Sequence, residues 1–146
     1  MYYRNRCSYL IYKGVVLEMN TSNMKLKSGT IKHIENEIKT IKETKKELTK
    51  MYMECEGEDR NHIPRKSLTV AFYNKRARKM QDIIDAINET YNEATKDQQK
   101  VIELRYWSQK NLTWEGIAIE LNMHRNTAQN YKNDFIEMVA ARLGWT

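Results

Sequence analysis

Ile31, Ile34, Ile38, Ile41, Leu48, Tyr52 and Cys55 fall at alternating steps of three and four, with Lys45 the only interruption of a heptad seam. Side chains at that spacing share one face of an α-helix, whereas a strand would need a period of two. The spacing therefore predicts a helix that opens at Ser28 or Thr30, either of which can cap it, and runs to about Cys55 before Gly57 stops it. An apolar seam must be covered. It can meet other copies of the chain, giving a homo-oligomer through Ile31, Ile34, Ile38, Ile41 and Leu48, or it can fold against the next helix as a hairpin. Fewer than four heptads are marginal as an isolated coiled coil, which favours the hairpin.

Composition points the same way. The 146 residues include 5 glycines and 1 proline, where average usage gives roughly 10 and 7. A sandwich or barrel needs more turns than that, so the expected fold class is all-α. With 40% hydrophobic and 30% charged residues, the chain is too apolar for a disordered tail, and two cysteines are too few for a disulfide scaffold. Together with the lack of an 18-residue apolar run or a secretory leader, this predicts a cytoplasmic protein. The net charge of +6 leans towards a polyanionic partner. Residues 1–27 read as a flexible or mis-annotated leader: the first 18 carry no helical or strand period, and Met19 or Met24 can serve as initiator. Lys13-Gly14-Val15, encoded as AAA GGA GTN, would match a ribosome-binding sequence ahead of Met19.

Residues 56–64, EGEDRNHIP, predict a loop, and a second helix follows from about Ser67 to Asn92 with Leu68, Phe72, Met80, Ile83, Ile84, Ile87 and Tyr91 on its apolar side. Arg65, Lys66, Lys75, Arg76, Arg78 and Lys79 precede its first acid, Asp82. Such a run is either a solvated face or a phosphate contact. Residues 28–93 thus form a two-helix region, and residues 94–146 a second unit.

That second unit has the denser set of local signals. Thr95 and Gln98 make a capping box for a helix carrying Val101, Ile102, Leu104, Arg105, Tyr106 and Trp107, and Lys110-Asn111 breaks it. Thr113 caps a short helix with Trp114, Ile117, Ala118 and Leu121 on its apolar side. Asn122 can take the left-handed conformation, His124 stands at an N-cap, and a long helix from Arg125 to Leu143 is closed by Gly144. This is a helix-turn-helix pattern, with Ala118 at the close approach and Met123 plugging the turn. Once Ala128, Tyr131, Phe135, Met138, Val139 and Leu143 are buried, the side chains left outward are His124, Arg125, Asn126, Gln129, Asn130 and Asn133, which suit base edges in a major groove. Phosphate candidates are Lys110, Thr113, Thr127 and Lys132 here, and Lys75, Arg76, Arg78 and Lys79 in the second helix.

The run VIELRYWSQKNLTWEGIAIELNMHRNTAQNYKNDFIEMVAARLGW resembles region four of bacterial sigma factors, with its L-R-Y segment, its LT-x-x-x-IA-x-x-L helix and a recognition helix. From Ile31 onward the chain is similar to the RinA and ArpU group of phage and prophage transcriptional regulators. The resemblance implies a DNA-binding activator of phage late genes, the packaging and morphogenesis operons, working with RNA polymerase in the cytoplasm of a bacterial host. It departs from that pattern at Asn122, where many relatives have glycine, and in a leading helix with little positive charge.

Over residues 95–146 seven cations meet six anions, 7 − 6 = +1. A lone module with that charge binds DNA weakly, so dimerisation, the basic second helix or polymerase is expected to assist. Enzymatic chemistry is not expected: there is no CxxC pair, His33, His62 and His124 lack ligand spacing, and the scattered glycines make no phosphate loop, so neither metal nor cofactor is anticipated. The alternative function is a phage small terminase subunit, which also joins a helix-turn-helix to coiled helices. Such subunits place the DNA-binding module first, whereas here it is last.

Overall fold

The computed structural model describes residues 9–12, 15–18, 25–56 and 66–146, with side-chain surroundings over 25–53 and 74–146. Of the loop expected at 56–64, Glu56 ends a helix, while residues 57–64 and the side chains of Cys55, Leu68 and Phe72 lie outside the described residues. One two-stranded antiparallel hairpin, β1 (Tyr9–Tyr12) and β2 (Val15–Glu18), pairs Leu10 with Leu17 and Ile11 with Val16. The first 18 residues carry no strand period, yet these two segments are rich in aromatic and β-branched residues, which favour extended pairing without alternating polarity. The other described elements are helical, and no described helix is long and apolar enough to cross a membrane.

The first predicted helix is two helices, α1 (Ser28–Lys39) and α2 (Ile41–Glu56). Neither Ser28 nor Thr30 caps α1. Lys27 holds the N-cap position without a side-chain bond, since its ammonium has no acceptor to offer, and the first turn closes from Ile31 N–H to the Lys27 carbonyl at 3.1 Å. The interruption falls at Thr40, whose ψ of 10° leaves the helical region. Its hydroxyl donates to the Asn36 carbonyl at 2.9 Å and that of Thr44 donates to the Thr40 carbonyl at 3.1 Å, side-chain bonds of the kind that bend helices. Past the break the seam runs Ile41, Thr44, Leu48, Met51, so that Thr44 and Met51 take the places expected of Lys45 and Tyr52, one residue earlier. Tyr52 is therefore half exposed, and Lys45 lies off the seam with its ammonium on the Asn88 side-chain oxygen at 3.1 Å.

The seam finds its cover within the chain. Ile34, Ile38, Ile41, Leu48 and Met51 join one core with Ala77, Ile84, Ala86 and Ile87 of α3 (Lys66–Glu93). To these the last helix, α6 (Arg125–Leu143), adds Phe135, Ile136, Val139 and Ala140. The homo-oligomer expected through Ile31, Ile34, Ile38, Ile41 and Leu48 is not shown: the last four are at most 6% exposed in the single chain and Ile31 packs on the same core. The core also takes in Ile102, so it crosses the boundary expected near residue 93.

A second, smaller core of Val101, Ile117 and Ala128, with Leu104, Leu112, Trp114, Leu121, Met123 and Tyr131 packed around it, holds α4 (Lys96–Ile102), α5 (Trp114–Glu120) and the first half of α6 together. Thr95 caps α4 by accepting from the Gln98 N–H, but the reciprocal half of the box is absent. The Gln98 side chain is buried and donates to the Tyr131 carbonyl of α6 at 3.0 Å, a stronger demand than a bond at an exposed helix end. Beyond Ile102 the helix widens into a π turn over Glu103–Trp107. The Ser108 N–H closes it on the Glu103 carbonyl at 2.7 Å.

Candidate nucleic-acid interface

Each local signal between Thr113 and Gly144 takes the geometry its residue type allows. The Thr113 hydroxyl accepts from the Gly116 N–H at 3.2 Å and starts α5. Asn122 has φ of 50°, a left-handed value that asparagine tolerates better than most residues, and the Met123 N–H returns to the Ala118 carbonyl at 2.9 Å. His124 caps α6 through Nδ1, which accepts from the Asn126 N–H at 3.2 Å. That bond leaves its Nε2 outward as the proton-bearing nitrogen when the ring is neutral. At the other end Gly144, with φ of 67°, closes a Schellman motif: the Trp145 N–H bonds to the Ala140 carbonyl at 2.9 Å and the Gly144 N–H to the Ala141 carbonyl at 3.3 Å.

The exposed side of the first half of α6 carries Asn126, Asn130 and Asn133, with Gln129 and Thr127 half-buried at its margins. Steps of four and three keep the three asparagines within about 60° of one another around the helix. Their side-chain amides and that of Gln129 make no hydrogen bond among the described residues. His124 and Arg125 are exposed at the helix start.

The cations nearby are differently placed from one another. Arg125 is held by Glu115 of α5 at 2.7 Å and Lys110 by Glu120 at 2.8 Å. Lys132 faces the long-helix body rather than solvent: it is 17% exposed, and its ammonium sits 3.2 Å from a Glu35 oxygen of α1. The Tyr106 hydroxyl donates to the same oxygen at 2.8 Å. Burial, and after it the bond to Glu35, holds that phenol well above the usual tyrosine range. Trp107 adds an indole N–H to the Ile38 carbonyl at 2.9 Å, one of the last-turn carbonyls that a helix end leaves without an intrahelical partner. Tyr91, packed at 5.2 Å on Trp107, donates to Glu103 and is pushed up to about 12 by burial and that carboxylate.

The α1 contacts had no signal in sequence, since nothing in the spacing of Glu35 or Lys132 links residues 97 apart. Sequence reasoning also passed over Arg105. Its exposed guanidinium lies 4.9 Å over the Trp114 ring and, unlike Arg125, Lys110 and Lys132, makes no ion pair among the described residues. The R-Y-W triplet was the available clue: in a π turn an arginine and two aromatics point to separate neighbours.

The basic run on α3 is not beside the asparagines. Lys75, Arg76, Arg78 and Lys79 are exposed, and Arg76 pairs with Glu47 across the hairpin with α2. Lys79 borders a groove of about 700 Å³ with His33, Glu37, Asp82, Arg142 and Trp145, at the C-terminal end of α6. Eighteen residues of helix separate Arg142 from His124, about 27 Å. Arg142 itself is buried, bonded to Glu89 at 2.6 Å and Glu93 at 2.5 Å, with its Nε lacking a partner. Among the described residues no group of three His, Cys, Asp or Glu is placed to hold a metal ion.

No curated protein and no solved structure matches the chain. A family model does, over residues 12–141, which takes in the buried residues of both cores and the asparagine stripe of α6. By that match the chain belongs to a family described as proteins of unknown function, DUF722.

Proposed function

We propose that the protein is a sequence-specific DNA-binding transcriptional regulator whose α6 enters the major groove, an activator of phage late packaging and morphogenesis genes acting with host RNA polymerase. The observation that carries the DNA-binding part is the stripe of unbonded amides on α6, set on a helix capped by His124 and braced by α5. An exposed row of uncommitted Asn side chains contributes nothing to the fold and suits base edges. The phage setting and the polymerase partner rest on the resemblance of residues 101–145 to sigma region four and to the RinA and ArpU group. Lys75, Arg78 and Lys79, on α3 and not beside the amides, suit phosphates outside the half-site that α6 reads, or an acidic surface of polymerase. A packaging ring is less well supported, because its oligomerisation helix would need a free apolar seam and here the seam is spent within the chain.

Footprinting of the purified protein across the late-gene control region, with and without RNA polymerase, tests the reading. A discrete protected site is expected, strengthened by polymerase. Equal affinity for that region and for random duplex would overturn it.

A further inference from the structure

The base-reading set contains amides and no available cation, and this has a chemical consequence. Bidentate recognition follows donor and acceptor pattern: an Asn or Gln amide matches adenine N6 and N7, whereas guanine O6 and N7 call for the two donors of Arg or Lys. On α6 the outward amides are Asn126, Asn130 and Asn133, flanked by Gln129, and none is bonded within the described residues. The cations of the same half-helix are both committed. Lys132 is turned onto Glu35, and Arg125 onto Glu115 at 2.7 Å. Arg125 also stands roughly 100° around the helix from the centre of the asparagine stripe. Exposed ion pairs are weak in isolation. Near a duplex, however, withdrawing Arg125 would leave the Glu115 carboxylate bare among phosphates, which favours keeping the pair closed.

We propose that this chain selects operators whose half-sites centre on adenine, with successive A·T pairs where a cation-bearing reading helix would require guanine, and that Glu115 enforces the choice by withholding Arg125. This rests on the DNA-reading role proposed above and names the sequence class it recognises. His124 does not alter the assignment, because a single outward N–H is accepted by N7 of either purine.

The test is selection from a random duplex library by the purified full-length protein at one fixed salt concentration, followed by sequencing. The wild-type chain is expected to enrich half-sites with adjacent adenines. Asn126→Ala and Asn130→Ala should each flatten the preference at one of those positions, by about 5- to 150-fold. Glu115→Gln should gain a guanine preference at a neighbouring position. All three changes are at exposed sites, and thermal melts matching the wild type would assign the shifts to recognition. Guanine-led half-sites for the wild type, or a Glu115→Gln selection identical to it, would overturn the inference while leaving a DNA-binding protein in place. Retention of no duplex at all would overturn the proposed function, and this inference with it.

Discussion

The two halves of α6 lie in opposite surroundings. From Phe135 to Ala140 four residues are buried, Phe135, Ile136, Val139 and Ala140, covering two adjoining sides of the helix, and Arg142 fastens the end to α3. From Arg125 to Asn133 only Ala128 is fully buried, resting on a core of three small or medium side chains. A helix that had to hold itself in place with the first half alone would have little apolar area to do so. Because the second half supplies that area, the first can give its outer side to polar groups that contribute nothing to stability.

The largest expected effect comes from attacking the buried half. Phe135→Ala removes a fully buried ring between α6 and the long helices. It should cost about 3–5 kcal/mol, read as a large drop in melting temperature, with DNA binding and the α2–α3 hairpin lost in the same transition. Two separated transitions would break the comparison, since the halves would then be independent. A smaller effect should follow from the other half. Ala128→Leu overfills the close contact with Val101 and Ile117, costing about 1–3 kcal/mol. Hydrogen exchange should then quicken in α4 and α5 while α3 stays protected; equal loss in α3 would mean that the small core is as global as the large one.

That contrast also explains how much could be read without coordinates. Over residues 113–144 each constraint is local: Thr113, Asn122, His124 and Gly144 occupy a cap or a left-handed position that their own side chains or lack of one select. Elsewhere the determinants are distant. The burial of Ile136 and Ala140 depends on α6 having neighbours on two sides, and a single-stripe reading misses them. The side chain of Gln98 favours a buried carbonyl on α6 over its own helix end, and Met51 replaces Tyr52 once Thr40 interrupts the helix. In the candidate interface the outward amides were readable from helical period. The commitment of Arg125 to Glu115 and of Lys132 to Glu35 was not, because neither pair lies on one helix.

The smallest effect concerns the boundary between the halves. Burial, and then the nearby Asp134, raises the pKa of Glu137. An acid whose folded pKa lies above its unfolded value binds more protons in the folded state, so its ionisation lowers stability as pH rises through that window. Glu137 is exposed, so solvent screens most of this effect, and Glu137→Gln should stabilise the protein at neutral pH only slightly, by less than about 0.5 kcal/mol. The gain should vanish as pH falls below the carboxylate range. A gain independent of pH would locate the effect in packing instead.

The continuity of α6 through both cores bears on how such a chain can be inherited. DNA-binding modules commonly spread by recombination, because a self-contained reader can be cut from one protein and joined to another. Here a cut near residue 94 would carry away Phe135, Ile136, Val139 and Ala140 without the α1–α3 surfaces that cover them. It would also strip Lys132 and Tyr106 of Glu35. A chimaera made that way would bear a bare apolar strip along half of α6, prone to self-association. Residues 28–93 and 94–146 are thus constrained to be exchanged, duplicated and lost together, and variation that spares both cores is left to point changes along the outer side of one helix.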